Sequence, residues 1–314
     1  MSNKTVIITG ANSGIGKSAA VKFASAGHNV ILACRDVERS KKAYREVTDV
    51  SKNKNVELMQ LDVSSFQSIR NFCTEFKSKY DVLDVLINNA AFFEHGKKEY
   101  QMSPDGIELT FATNTFGPFL LSELLKDVLT KSDDARILNA CTENIMHFFD
   151  PKRKIELDNL RGEFRDTKQY SVYKNYGDSK MALLMLTFKM AEEYKSLGIK
   201  VNAIIIPGVK ITKETLKKMS PGYRLIAMIK QPFSLPPEKL ADCYYLICTS
   251  DEFVNITGQA VNKHNQVMPA AKHDKGFSKT KELLSFNYIP KYAYDKETTE
   301  KIWDMAVIFS LNIR

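Results

Sequence analysis

A short glycine-rich segment near the amino terminus constrains the fold of this chain more than any other feature. An apolar run, Val6–Ile8, leads into the turn Thr9–Gly16 with the spacing Gly-x-x-x-Gly-x-Gly, and a helical pattern opens at Lys17. Glycine is favoured in such a turn because it accepts positive φ and lets a ligand approach the backbone. The free N–H groups of the next helix can then face a phosphate. A purely structural turn is the alternative, but the flanking strand and helix favour a dinucleotide-binding turn in a doubly wound sheet.

The composition is that of an ordinary globular protein. The 314 residues are 44% hydrophobic and 26% charged. The net charge of +8 is spread along the chain without a basic cluster, so we expect no nucleic-acid partner. The five cysteines and five histidines show no metal-ligand spacing, so we expect no metal site. Scattered thiols, and the absence of a signal peptide or a long apolar run, predict a cytoplasmic protein without a membrane span.

Strands and helices alternate along the chain, which indicates βαβ units and a parallel sheet. We predict a single doubly wound, Rossmann-type α/β domain with about seven strands over residues 1–271. A C-terminal extension, residues 272–314, is expected to pack on that domain. The predicted strands are Thr5–Thr9, Asn29–Ala33, Val56–Gln60, Val82–Ile87, Ala135–Cys141, Lys200–Ile206 and Gln259–Asn262. The predicted helices include Lys17–Ala26, Val37–Asp49, Phe66–Lys79, Ile107–Leu129, Ser179–Leu197 and Lys296–Leu311.

Tyr176 and Lys180 are the strongest candidates for acid–base chemistry. Residues four apart share a helix face, and an ammonium beside a phenol lowers the pKa of the phenol toward the working pH. Such a tyrosine can donate a proton to a carbonyl oxygen or take one from an alcohol. Tyr170 and Tyr292 also have a lysine four residues later. We favour Tyr176 because only it leads into a long buried-type helix followed by a core strand; an ordinary surface pair is the alternative.

Two further polar residues lie where a parallel sheet binds ligands or where a helix bends. Thr142 follows a predicted strand, so its hydroxyl could orient a substrate oxygen or merely cap the strand end. Asn114 lies inside a predicted helix, where asparagine is disfavoured because its side chain competes for backbone hydrogen bonds. A kink that holds a water would explain Asn114, and a tolerated polar residue is the alternative.

Arg35 bears on the choice of cofactor. It follows the second strand, whose end faces the adenosine ribose in doubly wound folds. A carboxylate there binds the 2′-hydroxyl of NAD, whereas an arginine suits a 2′-phosphate. The residue at the strand tip is Cys34, and Asp36 is expected to begin the next helix. Lys17 is expected either to add to the positive electrostatic field at the cofactor site or to point to solvent.

Taken together, these segments resemble the short-chain dehydrogenase/reductase family over residues 5–212. The matching pieces are Thr9-Gly10-x-x-x-Gly14-Ile15-Gly16, Asp62, Asn88-Asn89-Ala90, Asn114, Thr142, Tyr176-x-x-x-Lys180 and Pro207-Gly208 with Thr212. Within the family the chain looks most like the retinol-dehydrogenase-like branch. The pieces that support the branch are Leu32–Val37, Val85–Ala90, Ile155–Phe164 and Lys301–Asp304.

The resemblance implies roles for individual residues. Tyr176 would donate or accept the proton, Lys180 would bind the nicotinamide ribose, and Asn114 would hold a relay water. Thr142 stands where the family has a serine, and Ala91 stands where it has a glycine. The residues expected to bind the cofactor are Gly10, Asn12, Ser13, Gly14, Ile15, Gly16, Arg35, Asp62, Val63, Asn88, Ala90, Tyr176, Lys180, Pro207, Gly208 and Thr212.

The expected function is hydride transfer between NADP(H) and an alcohol or carbonyl substrate. Aromatic residues and methionines in the predicted walls suggest that the substrate is apolar. A dinucleotide-sensing binding protein with little or no turnover is the alternative. The segment Tyr223–Phe233 interleaves apolar and cationic residues, so it is expected to form a flap, to touch an anionic membrane surface or to pack as an ordinary helix. Formation of a homo-oligomer stays open.

Overall fold

One parallel sheet organises the protein. The computed structural model describes residues 3–94, 99–164, 166–211, 216, 219, 221–273 and 276–311. Within them, seven strands pair in the order β3-β2-β1-β4-β5-β6-β7, and every pair is parallel. The predicted doubly wound architecture is therefore confirmed. The strands are β1 Thr5–Thr9, β2 Asn29–Cys34, β3 Val56–Gln60, β4 Val85–Asn88, β5 Arg136–Thr142, β6 Lys200–Ile206 and β7 Ala260–Val261.

Helices cover both faces of the sheet. On one face, Phe23, Val47 and Tyr244 pack against alternate residues of the strands, and a second core of phenylalanines, leucines and methionines fills the other face. The strands are buried on both sides, which explains their nearly continuous apolar sequence. The α-helices are α1 Gly14–Ser25, α2 Val37–Ser51, α3 Phe66–Lys79, α4 Leu109–Phe111, α5 Gly117–Leu124, α6 Lys126–Leu129, α7 Val172–Glu193, α8 Pro221–Lys230, α9 Pro237–Thr249, α10 Gly276–Ser285 and α11 Lys296–Ser310.

The parallel register places the carboxyl ends of the strands at one edge of the sheet. Thr142, the last residue of β5, lies beside Ile206, the last residue of β6. The glycine turn after β1 lies at the same edge, because β1 pairs in parallel with β2 and β4. Ligands of doubly wound folds bind outside this carboxyl edge of the sheet.

The helix predicted over Ile107–Leu129 is interrupted in the structure. A π-helical turn, Ala112–Phe116, separates α4 from α5. Gly117 directly follows this turn, and a Cβ there would come within 2.0 Å of the carbonyl oxygen of Val63. At Gly117 the backbone therefore lies closer to the loop after β3 than any residue with a side chain would permit. Of the two alternatives left open for Asn114, the break favours a kink over a merely tolerated polar residue.

The C-terminal helices were only partly foreseen. Helix α11 agrees with the prediction, and its Trp303 ring lies edge-on to Phe119 with centroids 5.1 Å apart. Lys189 of α7 forms an ion pair with Glu300 of α11 at 2.8 Å. Helices α9 and α10 were not predicted. None of the helices in the described ranges combines the length and apolar character that a membrane span requires. The boundary between residues 271 and 272 stays a prediction.

Candidate active site

The turn after β1 has the backbone geometry that its glycines predict. Gly10 and Gly14 adopt φ values of +65° and +53°, a region where other residues are strained. A Cβ at Gly16 would come within 2.5 Å of the Gly10 carbonyl oxygen and of the Asn89 amide nitrogen. Helix α1 begins at Gly14, so its first unpaired N–H groups lie at the end of the turn. The turn is therefore shaped to receive a phosphate.

Thr9 and Asn89 hold this turn against the end of β4. The Thr9 hydroxyl accepts hydrogen bonds from the backbone N–H groups of Asn89 and Ala90, both at 2.9 Å. The Asn89 side chain donates to the Thr9 carbonyl oxygen at 2.9 Å and accepts from the Tyr244 hydroxyl at 3.1 Å. Sequence reasoning missed Tyr244 because it comes 155 residues after Asn89. No local pattern connects two residues so far apart.

Six of the predicted cofactor residues line one cavity of about 240 Å³ at this edge. They are Gly10, Asn12, Arg35, Asp62, Val63 and Ala90. Arg35 is exposed there and forms no ion pair with any residue that the structure describes. Arg39 lines the same cavity but pairs with Asp36 at 3.1 Å. Asp36 caps α2 by accepting from the Arg39 N–H at 3.0 Å, which confirms its predicted place.

Lys17 does not contribute a free cation to the turn. Its ammonium forms an ion pair with Glu46 of α2 at 2.5 Å. This pairing fits neither expectation for Lys17. The side chain neither adds positive charge at the cofactor site nor points to solvent. Arg35 is therefore the better candidate for a charge that meets a ligand.

Asn88 does not line this cavity. Its side chain is buried and donates hydrogen bonds to Asn139 Oδ1 at 2.8 Å and Ser122 Oγ at 3.3 Å. Asn139 continues the network by donating to Thr187 Oγ1 at 2.9 Å. The structure therefore places the Asn88 side chain in a polar network that joins β4, β5, α5 and α7. This position of the side chain does not support the predicted role of Asn88 in binding the cofactor.

The remaining predicted cofactor residues lie around the same edge. Ser13 is the exposed N-cap of α1, and Ile15 lies in its first turn. Pro207 and Gly208 line a separate cavity of about 570 Å³ beyond the end of β6. Thr212 lies outside the described residues.

Tyr176, Thr142 and Lys180 come together at the carboxyl end of β5. Burial raises the pKa of Tyr176 to about 12, and the neighbouring Thr142 side chain opposes that rise. Lys180 donates a hydrogen bond to the carbonyl oxygen of Ala140 at 2.7 Å, and burial lowers its pKa to about 8. The expectation that Lys180 lowers the pKa of Tyr176 is wrong for this structure. Burial dominates, and the ammonium is held on a backbone carbonyl.

Thr142 combines the two roles that its position left open. Its hydroxyl accepts from the Asn144 N–H at 3.3 Å and so caps the segment that follows β5. The same side chain lowers the pKa of Tyr176 and so lies near its phenol. Thr142 is therefore both a cap and a neighbour of the candidate proton donor.

Asn114 lies in the π-helical turn and is completely buried. Its Oδ1 accepts from the Phe92 N–H at 2.7 Å, and its Nδ2 donates to the Phe92 carbonyl oxygen at 3.0 Å. Nδ2 also donates to Ser179 Oγ at 3.1 Å. Ser179 in turn donates to the carbonyl oxygen of Tyr176 at 2.9 Å. Asn114 thus joins the loop after β4 to the helix that carries Tyr176, and its relay-water role stays a prediction.

The two rival tyrosines have structural partners. The Tyr170 hydroxyl donates to the buried Glu108 carboxylate at 3.1 Å and lies 3.3 Å from Thr110 Oγ1. The Tyr292 hydroxyl accepts from the Ile155 N–H at 3.1 Å. Neither hydroxyl is directed toward the carboxyl end of β5, which supports the choice of Tyr176.

Comparison with known proteins agrees with this geometry. The family model for short chain dehydrogenase matches residues 4–147. Retinol dehydrogenase 13 from Homo sapiens is 31% identical over 276 residues, covering 85% of this chain and 78% of the relative. Retinol dehydrogenase 12 from Mus musculus is 31% identical over 303 residues, covering 96% and 85%. The chain belongs to the short-chain dehydrogenase family. The two relatives place this short-chain dehydrogenase in the retinol-dehydrogenase-like branch.

A solved structure shares the fold of this short-chain dehydrogenase. A short chain dehydrogenase from Shigella flexneri complexed with NADP superposes with a TM-score of 0.63 and 19% identity. The superposition covers 84% of this chain and 98% of that one. At this identity the likeness shows the fold alone.

An aromatic residue covers the candidate proton donor of the short-chain dehydrogenase. The Phe93 ring lies with its centroid 4.4 Å from that of Tyr176 and 5.2 Å from that of Tyr173. Phe93 directly follows Phe92, whose backbone is clamped by Asn114. The clamp and the aromatic cover were not visible in the sequence, because they depend on how the loop after β4 folds back on α7.

An ion pair anchors the polar segment that precedes α7. The Asp178 carboxylate is 1% exposed and contacts Arg153 and, at 3.4 Å, Lys174. Burial raises the pKa of Asp178, and the two cations oppose that rise. Asp178 lies between Tyr176 and Lys180, so this pair fixes the catalytic helix to residues 150–172. Sequence reasoning did not find this anchor.

Proposed function

We propose that this protein is an NADP(H)-dependent oxidoreductase that transfers a hydride to or from an apolar alcohol or carbonyl substrate. The observation that carries the proposal is the meeting of Tyr176, Thr142 and Lys180 at the carboxyl end of β5. This is the edge at which the glycine turn and Arg35 also lie. Phosphate-binding and proton-transfer groups therefore share one edge of the sheet.

In the proposed reaction, Tyr176 donates a proton to the carbonyl oxygen during reduction and accepts one from the alcohol during oxidation. A pKa of about 12 keeps the phenol protonated near neutral pH, so the resting protein is prepared as the acid. Thr142 offers a second hydroxyl to the same oxygen. Lys180, held on the Ala140 carbonyl oxygen, would bind the nicotinamide ribose. When bound, the nicotinamide supplies or accepts the hydride.

The residues at the edge fit a dinucleotide. A Cβ at Gly10 would come within 3.0 Å of the Ala90 Cα. A Cβ at Gly16 would collide with the carbonyl oxygen of Gly10, so the turn has no room for a side chain at either position. The turn would hold the diphosphate on the N–H groups of α1. Arg35 and Asp62, which line the cavity beyond the turn, would face the adenosine end.

Arg35 supports NADP(H) as the cofactor. It is an exposed cation at the end of β2 without an ion-pair partner among the described residues. The carboxylate next to it in sequence, Asp36, already caps α2 and pairs with Arg39. A charge-assisted hydrogen bond to a 2′-phosphate is about twice as strong as a neutral one. The NADP in the Shigella flexneri protein with this fold agrees with this choice.

Two observations support an apolar substrate. Phe93 covers Tyr176, and a neighbouring cavity of about 1030 Å³ is lined in part by Met146, Phe149 and Leu283. The relatives are named retinol dehydrogenases, and retinol is an apolar primary alcohol.

The experiment measures kcat/KM for NADPH and NADH with a panel of apolar aldehydes that includes retinal and decanal. We expect turnover with a preference for NADPH. Arg35→Ala should weaken NADPH far more than NADH, while the control Arg45→Ala, on the exposed side of α2, changes neither. Tight NADPH binding without turnover of any aldehyde would instead favour the dinucleotide-sensing protein. A preference for NADH would contradict the cofactor assignment.

The location and partners remain part of this proposal. The five cysteines are free and buried, which supports a reducing, cytoplasmic compartment. Helix α8 exposes Leu225, Met228 and Ile229, which supports the predicted contact of Tyr223–Phe233 with a membrane surface. Co-sedimentation with anionic vesicles tests that contact, and a protein that stays in the supernatant contradicts it. Homo-oligomer formation stays open.

A further inference from the structure

A carboxylate comes one residue after Thr142 of the candidate catalytic centre. Glu143 follows Thr142 and lines the cavity of about 570 Å³ that also contains Pro207 and Gly208. It lines the neighbouring cavity of about 1030 Å³ as well. Phe286 is the other residue that both cavities share, so the two spaces meet at Glu143 and Phe286.

Glu143 has no partner that accounts for its position. Among the residues that the structure describes, none hydrogen-bonds or ion-pairs with its carboxylate. Burial raises its pKa, and Lys263 opposes that rise from a distance. The buried Glu108, by contrast, accepts hydrogen bonds from Thr110, Phe111 and Tyr170. The Glu143 carboxylate therefore faces both cavities with its acceptor oxygens available to a ligand that enters them.

We infer that Glu143 is a specificity residue that accepts a hydrogen bond from a hydroxyl group of the substrate, remote from the reacting carbon. The inference rests on the proposed oxidoreductase function and names a feature of its substrate. The reacting oxygen would lie at Tyr176 and Thr142, and the second hydroxyl would lie at the junction of the two cavities.

The surroundings favour a neutral donor over a charged group. Lys263 and His264 line the first cavity with Glu143, and Lys279 lines the second. These side chains disfavour a cationic substituent, while the carboxylate itself repels an anionic one. The rest of the second cavity includes the apolar side chains of Met146, Phe149, Leu283 and Leu284. The substrate class is therefore an elongated apolar alcohol or carbonyl compound that carries a second hydroxyl.

The experiment compares decanal with its ω-hydroxylated analogue, with shorter and longer pairs alongside, in the presence of NADPH. We expect the wild-type protein to show the higher kcat/KM for the hydroxylated member of at least one pair. Glu143→Ala should reduce this preference about tenfold or more, the effect of losing a hydrogen bond to a charged group. Glu143→Gln keeps an acceptor oxygen without the charge, so it should retain part of the preference. The matched control Glu252→Gln, at an exposed glutamate, should leave the preference unchanged.

The outcomes separate this inference from the proposed function. Turnover with a preference that Glu143→Ala leaves intact, or with no preference in any pair, would overturn the role of Glu143 and leave the oxidoreductase standing. If no aldehyde turns over, calorimetric binding of the same pairs to the NADPH-loaded protein provides the readout. Equal affinities of the wild type and Glu143→Ala for the hydroxylated member would then overturn the inference.

Discussion

The ammonium group of Lys180 donates a hydrogen bond to the carbonyl oxygen of Ala140 across 2.7 Å. Lys180 is 2% exposed and Ala140 is 4% exposed, so the contact is closed to bulk water. Burial lowers the pKa of Lys180 from 10.5 to about 8. The folded protein therefore binds this proton less tightly than the unfolded chain does.

This contact predicts a pH dependence of stability. Between pH 8 and 10.5 the unfolded chain binds more protons at Lys180 than the folded protein does, so stability rises with pH in that window. Below pH 8 the cost of burying the charge is fully present. Lys180→Met removes that cost, so the variant should be more stable than the wild type near neutral pH. Its advantage in Tm, measured by calorimetry without cofactor, should shrink as the pH rises through the window. An advantage that is absent, or independent of pH, would contradict this account.

Thr142 should act through its hydroxyl. Thr142→Ala should lower kcat by about tenfold to a hundredfold, because a hydrogen bond to a developing charge is lost. It should also lose roughly 1 kcal/mol of stability, since the hydroxyl caps the segment after β5. Thr142→Ser keeps the hydroxyl, so it should retain most of the kcat and most of the stability. Steady-state kinetics and thermal unfolding measure the two effects separately. Wild-type kcat in Thr142→Ala would reduce the residue to a structural cap.

The contact between Arg153 and Asp178 should contribute strongly to stability. Arg153→Ala leaves a carboxylate that is 1% exposed with only Lys174 nearby. Breaking a buried pair from one side costs about 3–5 kcal/mol, and the remaining lysine should hold the loss to about 2–4 kcal/mol. Denaturant unfolding measures it, with the exposed neighbour Lys152→Ala as the control. Adding Asp178→Asn to Arg153→Ala should restore part of the stability. Equal stability of Arg153→Ala and wild type would show that the pair contributes nothing.

Local pattern was sufficient to predict the sheet and most of the candidate site. The strands β1, β3 and β6 have the predicted bounds, because their short length and the alternation with helices distinguish them from buried helices. Tyr176 could be preferred over Tyr170 because only its helix carried a continuous apolar pattern. The structure agrees, since the Tyr170 hydroxyl is bonded to Glu108.

Properties that depend on distant neighbours could not be predicted. The direction of the Tyr176 pKa follows from burial, which a spacing of four residues does not reveal. The Tyr244 anchor of Asn89 joins residues 155 positions apart. A kink at Asn114 was one alternative from the sequence, but neither its π-helical form nor the close approach of Gly117 to the Val63 carbonyl oxygen could be predicted. Each is a consequence of packing between elements and not of any one element's sequence.

The central claim is that Tyr176 transfers the proton, and one pair of variants tests it most directly. We measure kcat for reduction of the best aldehyde of the panel with NADPH, together with NADPH affinity, for Tyr176→Phe and Tyr170→Phe. Tyr176→Phe should lower kcat by about 10²–10⁴-fold with little change in NADPH affinity, because it removes only the reacting hydroxyl. Tyr170→Phe should keep kcat and lose thermal stability, because it removes the hydrogen bond to Glu108. A Tyr176→Phe variant with near wild-type kcat, or a folded Tyr170→Phe variant without activity, would contradict the account.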